Sequence, residues 1–196
     1  MRNKSYAAIN IAGLSIGIAA CLLIGIYILH ELSFDKFHAN AGRLARVTMH
    51  YNFGDADNKL AITGTKVGPA FQRTFPEVQA YARTFKFTRV VSYEDKAFEE
   101  KSFLYADSAF FGMFSFPLLS GKASDALNSP DKIVITNRMA KKYFGSADPI
   151  GKVLRVGGNK DFIITGVAAE PPANSQIQFD FVASFASLGA YQRENW

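Results

Sequence analysis

The stretch from Gly13 to Cys21, GLSIGIAAC, contains the first candidate for chemistry, a serine in a G-x-S-x-G pattern. This pattern presents a nucleophilic serine at a strand-to-helix turn in many hydrolases. Ser15 lies instead within the run from Tyr6 to Leu29, which contains no Asp, Glu, Lys or Arg. A run of this length exceeds the roughly 20 apolar residues that span a bilayer. The sequence therefore predicts a transmembrane helix over residues 6–29 and no serine nucleophile.

Cys21 raises a second possibility, because the Ile-Ala-Ala-Cys sequence that it ends is similar to the cleavage site of a bacterial lipoprotein. Arg2 and Lys4 would form the charged region of such a signal. The apolar run continues from Leu22 to Leu29, however, so cleavage would leave a hydrophobic N-terminus. A secretory signal normally has an apolar region of only 7–15 residues. An uncleaved membrane anchor is favoured, and a lipoprotein remains the alternative.

Four small residues recur at every fourth position of this helix: Gly13, Gly17, Cys21 and Gly25. This spacing places them along one slowly drifting face, where another membrane helix could approach closely. The alternative is that glycine is simply frequent in membrane helices. We interpret the four residues as a helix-packing face.

Two further patterns are too incomplete to indicate a site. Gly145–Val153 is similar to a phosphate-binding P-loop, but five residues separate its glycines and Val153 replaces the magnesium-binding Ser or Thr. Glu31, Asp35 and His38 could share one helical face and bind a metal, although a solvated polar face is the simpler interpretation. His50 is interpreted as a surface histidine. The sequence predicts no catalytic, cofactor-binding or metal-binding residues, and no enzyme.

The composition places the chain among anchored globular proteins. Its 196 residues, 48% of them hydrophobic, leave about 160 for a domain with a real core. The net charge is +5, but basic and acidic residues are interspersed, so nucleic acid is not an expected partner. Arg138, Lys141 and Lys142 are expected to form a solvated helix face, and the excess charge favours at most a mild attraction to anionic lipid headgroups or to an acidic partner.

The flanking charges predict the orientation of the helix. Arg2 and Lys4 precede it and mixed charges follow it, so the positive-inside rule places residues 1–5 in the cytoplasm. The residues after the helix are then extracytoplasmic. The single cysteine lies inside the anchor and excludes an intrachain disulfide.

The periodicity after the anchor predicts a stalk helix over 30–45 and a mixed α+β domain over 46–196, of one or two subdomains. The expected elements are a strand in 46–53, a helix after Pro69, a hairpin turning at 94–96 and an aromatic helix in 108–116. A strand at 131–136 should lead into a helix that Thr136 or Asn137 caps and that ends before Gly145. A hairpin around 157–160 and a last alternating strand in 176–185 complete the domain.

Anchor and domain together resemble a known family. The segments that carry the resemblance are INIAGLSIGIA, HELSFDKFHANAGRLARV, FPEVQAYAR, YADSAFFGMFSFPLLSGKASDAL, IVITNRMAKKYFGSADPIGKVL and FIITGVAAEPPANSQIQFDF, in this order. They are similar to the first transmembrane helix and periplasmic core domain of MacB-type permeases of ABC transporters, the FtsX-like permease family. The resemblance covers nearly the whole chain.

The resemblance implies a permease subunit of the bacterial inner membrane that exports or extracts a substrate. Such subunits are homodimeric or paired, contact lipid, and transmit ATP hydrolysis by a separate ABC ATPase to the extracytoplasmic domain. A periplasmic or outer-membrane protein is a further implied partner, and this chain itself would bind no ATP. Because the family's later transmembrane helices do not follow Trp196, the chain is expected to be a fragment. An anchored binding or sensor module, or a lipoprotein, is the alternative.

Overall fold

The computed structural model describes residues 4–53 and 56–191. Its first element is helix α1, Lys4–Leu32, with 29 residues. At 1.5 Å per residue such a helix is about 43 Å long, more than the roughly 30 Å hydrocarbon core of a bilayer. The segment Tyr6–Leu32 is long and apolar enough to cross a membrane, and its apolar side chains are exposed. The predicted apolar helix is therefore confirmed, with three more residues at its C-terminal end.

The stalk helix predicted over 30–45 was wrong beyond Leu32. After this residue the chain forms turns and a short 3-10 helix, Ala41–Arg43. Ser33 ends α1, because its backbone N–H and its hydroxyl both donate to the His30 carbonyl, at 3.0 and 2.7 Å. Asp35 then adopts a φ of 56°, in the left-handed region that a right-handed helix cannot contain.

The remaining elements are short strands and helices in a mixed order. The strands are β1 Met49–Phe53, β2 Ala56–Leu60, β3 Thr84–Tyr93, β4 Lys96–Ala106, β5 Leu118–Ser120, β6 Lys132–Thr136, β7 Val153–Val156, β8 Lys160–Ala168 and β9 Phe181–Ser184. The helices are α2 Val67–Thr74, α3 Phe110–Met113, α4 Ala123–Ala126 and α5 Asn137–Phe144, and two 3-10 turns follow β9. The predicted α+β class is confirmed.

Six of the strands form a closed ring. Strand β8 pairs in parallel with β6, and β6 is followed around the ring by β9, β4, β3 and β7. β7 then pairs with β8 again, from Val153 opposite Ile163 to Val156 opposite Lys160. β5 extends β8 outside the ring, and β1 and β2 form a separate antiparallel hairpin. The seam between β3 and β7 is short, with Val91 opposite Val156 and Ser92 opposite Arg155.

The core lies among side chains that alternate along the ring strands. Successive residues of a strand point to opposite faces, so every second position can face one core. One core cluster contains Val91, Phe103, Tyr105, Ile133, Ile135, Leu154, Val156, Phe162, Ile164, Phe181 and Ala183, together with Met139, Ala140, Tyr143 and Phe144 of α5. All four residues of β9 are buried, not alternate ones as predicted, because both faces of this strand are covered.

A second set of rings packs around α3. This aromatic cluster consists of Phe110, Phe111, Phe114, Phe116 and Phe179. Phe110 and Phe116 stack with centroids 5.6 Å apart, and Phe179 meets Phe116 edge-on at 5.0 Å. Such offset and edge-on pairs contribute about 0.5–1.5 kcal/mol each beyond area burial.

Several local predictions are confirmed. The hairpin of β3 and β4 turns at Glu94 and Asp95, and Glu94 has a φ of 51°. Thr136, not Asn137, caps α5, since its hydroxyl accepts from the Met139 N–H at 3.4 Å. Gly145 follows α5, as predicted, with φ 64° and ψ −117°, a backbone conformation that glycine adopts far more easily than other residues.

The described residues from His38 onward, except Pro172–Gln176, form one compact unit. The sequence left open one or two subdomains for this region. One sheet that closes on itself joins residues from 84 to 184, so the structure favours a single domain.

Candidate functional site

The end of α1 and the middle of the β8–β9 loop belong to one compact unit. The loop comprises residues 169–180, and its middle, Pro172–Gln176, groups with the residues up to Phe37. We call residues 33–37 the helix-exit turn and Pro172–Gln176 the loop apex. The chain passes between the two units at three places: after Phe37, before Pro172 and after Gln176.

Asp35 holds the loop apex through its backbone and its side chain. Its N–H donates to the Asn174 carbonyl at 3.0 Å. Its carboxylate Oδ1 accepts from the Gln176 N–H at 3.0 Å and from the Ser175 hydroxyl at 3.2 Å. Hydrogen bonds to an ionised acceptor are stronger than neutral ones. The left-handed backbone at Asp35 is one that aspartate tolerates better than most residues.

Asn174 completes the connection from the other side. Its Nδ2 donates to the Ser33 carbonyl at 3.1 Å and to the Ser33 Oγ at 3.0 Å. The carbonyl groups of the last turn of a helix have no partner within the helix. Ser33 satisfies the His30 carbonyl in the last turn of α1, and Asn174 of the loop apex binds Ser33 in turn.

The two ends of the β8–β9 loop are fixed at the N-terminus of α5, within the other unit. Before the apex, the Glu170 carboxylate accepts from the Arg138 N–H at 2.7 Å. After the apex, the Asp180 carboxylate pairs with the Arg138 guanidinium, and the Asp180 carbonyl accepts from the Thr136 N–H at 2.9 Å. Carboxylates are favoured at this end of a helix because its free N–H groups carry partial positive charge.

The chain is also fixed where it leaves the helix-exit turn. His38 is 4% exposed, and its ring lies edge-on to Phe114 and Phe116 of the aromatic cluster, at 5.3 and 5.1 Å. Its Nδ1 accepts from the Ser115 N–H at 3.1 Å, and the Ser115 hydroxyl accepts from the Ala39 N–H at 2.9 Å. Phe179, three residues after the apex, packs in the same cluster.

A buried carboxylate lies elsewhere, where α5 packs on β4. Glu100 is 6% exposed and accepts from the Tyr143 hydroxyl and the Lys142 ammonium, both at 2.7 Å. The Tyr143 hydroxyl also lies 3.3 Å from the Val91 carbonyl. Burial, and then the bond to Glu100, raises the pKa of Tyr143 far above the ordinary value for tyrosine. Paired in this way, Glu100 stabilises the packing of α5 on β4.

The predicted helix-packing residues all lie on α1: Gly13, Gly17 and Cys21 are exposed and Gly25 is half-buried. A methyl group built at any of the three glycines would meet nothing within 4 Å. Their role in packing against another helix stays a prediction.

The structure does not assemble the other candidates into a site. Asp35 binds the loop apex and His38 lies in the aromatic cluster, and among the described residues no three His, Cys, Asp or Glu side chains are close enough to hold a metal. Gly145–Val153 is a loop that enters β7, as predicted, with the Gly151 N–H on the Ile164 carbonyl at 2.8 Å. His50 is exposed, as predicted.

The basic residues of α5 differ from the prediction. Arg138 pairs with Asp180 and Lys142 pairs with Glu100, so two of the three cations are ion-paired instead of freely solvated. Lys142 also lies 4.2 Å from the Phe98 ring. The reason is that Asp180 and Glu100, which are distant from α5 in the sequence, form ion pairs with its basic side chains.

Sequence reasoning missed the connection between the helix-exit turn and the loop apex. Its residues lie about 140 positions apart, as the Asp35 and Gln176 contact illustrates. One signal was present, because two of the six segments that carry the family resemblance contain these residues, SFD and PPANSQ.

Comparisons with known proteins agree with the resemblance. A family model described as the MacB-like periplasmic core domain matches residues 7–196. A search of curated proteins gave no significant match.

Three solved structures are similar to the chain. A domain of a protein described as a permease from Porphyromonas gingivalis is 29% identical, with a TM-score of 0.64, and the match covers 76% of this chain and 65% of that one. The periplasmic region of MacB from Actinobacillus actinomycetemcomitans is 16% identical, with a TM-score of 0.45 and coverage of 56% and 50%. The extracellular domain of the noncanonic ABC-type transporter YknZ from Gram-positive bacteria is 19% identical, with a TM-score of 0.45 and coverage of 56% of each chain.

The chain thus spans 65% of the first of these proteins and about half of the other two. The family model, in contrast, covers nearly the whole chain, including α1. The chain belongs to the family of MacB-like periplasmic core domains.

Proposed function

We propose that the chain is part of a permease subunit of an ABC transporter. In this proposal α1 anchors it in the bacterial cytoplasmic membrane with the N-terminus inside, and the domain lies outside the membrane. A separate ABC ATPase binds and hydrolyses ATP, and the permease converts the resulting helix movement into movement of the domain that exports or extracts a substrate. This chain performs no catalysis and binds no cofactor.

The observation that carries the proposal, beside the family, is the return of the β8–β9 loop to the end of α1. The chain passes between the helix unit and the domain three times, and Asp35 and Asn174 fix the loop apex at the helix exit. A sensor that merely needs an anchor requires only one flexible passage. A protein that transmits force benefits from several passages, since coupling between distant sites is carried by contiguous physical connections.

The remaining partners follow from the same proposal. We expect two permease subunits, either two identical copies or a pair of different ones, whose helices meet in the membrane. We also expect lipid to contact the exposed apolar side chains of α1. A periplasmic or outer-membrane protein is a further expected partner of the domain. Nucleic acid is not expected.

The experiment is to purify the complete protein, tagged at its C-terminus, from membranes in mild detergent and to identify what copurifies by mass spectrometry. The proposal predicts a stoichiometric ABC ATPase. Recovery of the protein without any ATPase, under conditions that preserve a known ABC transporter in a parallel preparation, would favour the sensor instead. Acyl chains on Cys21 would establish the lipoprotein.

A further inference from the structure

We propose that Asp35 is the residue that couples displacement of α1 to helix α5, through the β8–β9 loop. This inference rests on the proposed function and names the positioning residue within it. Asp35 lies three residues after the end of α1, so any shift or rotation of the helix moves its carboxylate directly. The loop apex follows because Gln176, Ser175 and Asn174 are all bonded to this one residue.

The loop is built to carry such a displacement toward α5. Pro171 and Pro172 connect the apex to Glu170, and proline fixes φ near −65°, so this stretch has little freedom to absorb movement. The apex itself is closed by a turn in which the Ser175 N–H donates to the Pro172 carbonyl at 3.0 Å. Ser175 is 3% exposed, as expected for a residue held in place.

Both ends of the loop bind the same residue, Arg138. Glu170 accepts the Arg138 N–H at the start of α5, and Asp180 binds the Arg138 side chain. A movement of the apex would therefore change the hydrogen bond between the Arg138 backbone N–H and the Glu170 carboxylate. The chain after the helix-exit turn takes a different course, since His38 is held by the aromatic cluster and Ser115. Removing the Asp35 carboxylate should leave that covalent passage intact and free the Gln176 N–H and the Ser175 hydroxyl, so that the loop apex is held only through Asn174.

The experiment uses the complete permease with its ATPase in lipid nanodiscs. Amide hydrogen exchange of residues 137–144 is compared between the nucleotide-free complex and the complex trapped with Mg-ATP and vanadate. Asp35→Gly removes the carboxylate without straining the left-handed backbone, because glycine adopts positive φ freely. Asp35→Asn keeps an oxygen acceptor. Asp161→Ala is the control, because it breaks the exposed ion pair with Arg155 in the β7–β8 hairpin.

We expect nucleotide trapping to change exchange at the Arg138 amide by about fivefold or more in wild type, the lower range of typical coupling between sites. The change should survive in Asp35→Asn and Asp161→Ala and disappear in Asp35→Gly, with the ATPase rate and the exchange of the core strands preserved in all three. Rescue by the asparagine separates a coupling role from a merely structural one.

The inference is overturned if Asp35→Gly shows the wild-type nucleotide response at Arg138, or if wild type hydrolyses ATP without any response there. Misfolding would appear as faster exchange throughout β6 and β9 even without nucleotide; if Asp35→Gly behaved so, the residue would be structural and the proposal wrong. A complex that contains no ATPase would refute the proposed function itself, and with it this role for Asp35.

Discussion

The carboxylate of Asp35, at the end of a membrane-length helix, accepts the backbone N–H of Gln176 at 3.0 Å across 141 positions of sequence. Neither residue belongs to a regular element, and Asp35 has a left-handed backbone with a φ of 56°. This arrangement makes the helix exit and the loop apex one unit, and it leads to the first prediction.

Asn174→Asp should loosen the loop apex. The change removes both Nδ2 hydrogen bonds to Ser33 and puts a carboxylate against the Ser33 carbonyl oxygen, which repels it. An unsatisfied group and this repulsion together destabilise by about 1–3 kcal/mol, so exchange of the Gln176 amide should rise about tenfold or more. The control Asn159→Asp, in the exposed β7–β8 turn, should leave this amide unchanged. Equal protection of Gln176 in both variants would contradict the arrangement.

Tyr143→Phe should lower the stability of the domain near neutral pH. It leaves the buried Glu100 carboxylate without one of its donors, at a cost of about 1–3 kcal/mol. The measurement is urea unfolding of the purified chain in detergent, followed by tyrosine and tryptophan fluorescence. A loss below about 0.5 kcal/mol would mean that water or Lys142 replaces the hydroxyl.

The same residue predicts an alkaline pH dependence. The pKa of Tyr143 is raised in the folded chain above the ordinary value of about 10. Folding therefore favours the protonated hydroxyl, and this contribution is complete below pH 10 and is lost as the pH rises above 10 toward the folded-state pKa. Between pH 9 and pH 11 the free energy of unfolding should fall less in Tyr143→Phe than in wild type. Tyr191→Phe, at an exposed tyrosine, should behave like wild type.

Gly121→Ala should destabilise the edge where β5 meets β8. Gly121 has a φ of 91°, and a methyl group there would clash with the Thr165 carbonyl oxygen. Both the strain and the clash oppose the change, and we expect a loss of about 2 kcal/mol or more. Gly112→Ala has nothing within 4 Å of its new methyl group and should cost under about 1 kcal/mol. Equal stability of the two variants would show that this edge rearranges freely.

Gly17→Leu should weaken association of α1 with a neighbouring helix, whereas Ser15→Ala should have little effect. Helices in lipid associate through close packing, and a leucine would hold the partner away. The readout is cysteine cross-linking between helices of the complete permease. Wild-type cross-linking in Gly17→Leu would make the stripe of small residues incidental.

Local structure was largely readable from the sequence. The 24-residue uncharged run predicted α1, the turn residues near Glu94 and Gly157 predicted two hairpins, and Thr136 and Gly145 bounded α5. These signals arise from residues close in sequence, whose preferences do not depend on the rest of the chain. The end of α1 was misplaced because the periodic pattern continues past Leu32, while Ser33 and the contacts of Asp35 end the helix.

The long-range features could not be predicted in this way. Closure of the ring depends on the second pairing of β8 with β7, and the candidate site depends on a loop that returns to residue 35. The acidic partners of Arg138 and Lys142 lie about 40 positions away from them, which explains why these cations looked solvated. The segments that carry the family resemblance include both SFD and PPANSQ, so they contain the residues of the helix-exit turn and of the loop apex. They did not indicate that these residues are in contact.

The most direct test of the permease account is the ATPase activity of the complete protein copurified with its partner. Magnesium-dependent hydrolysis should be abolished by substituting the P-loop lysine of the copurifying ATPase and should be unaffected by Lys152→Ala in this chain, whose loop only enters β7. The account would be contradicted if the purified chain alone hydrolysed ATP and Lys152→Ala abolished that activity. It would also be contradicted if no complex that the protein forms hydrolysed ATP.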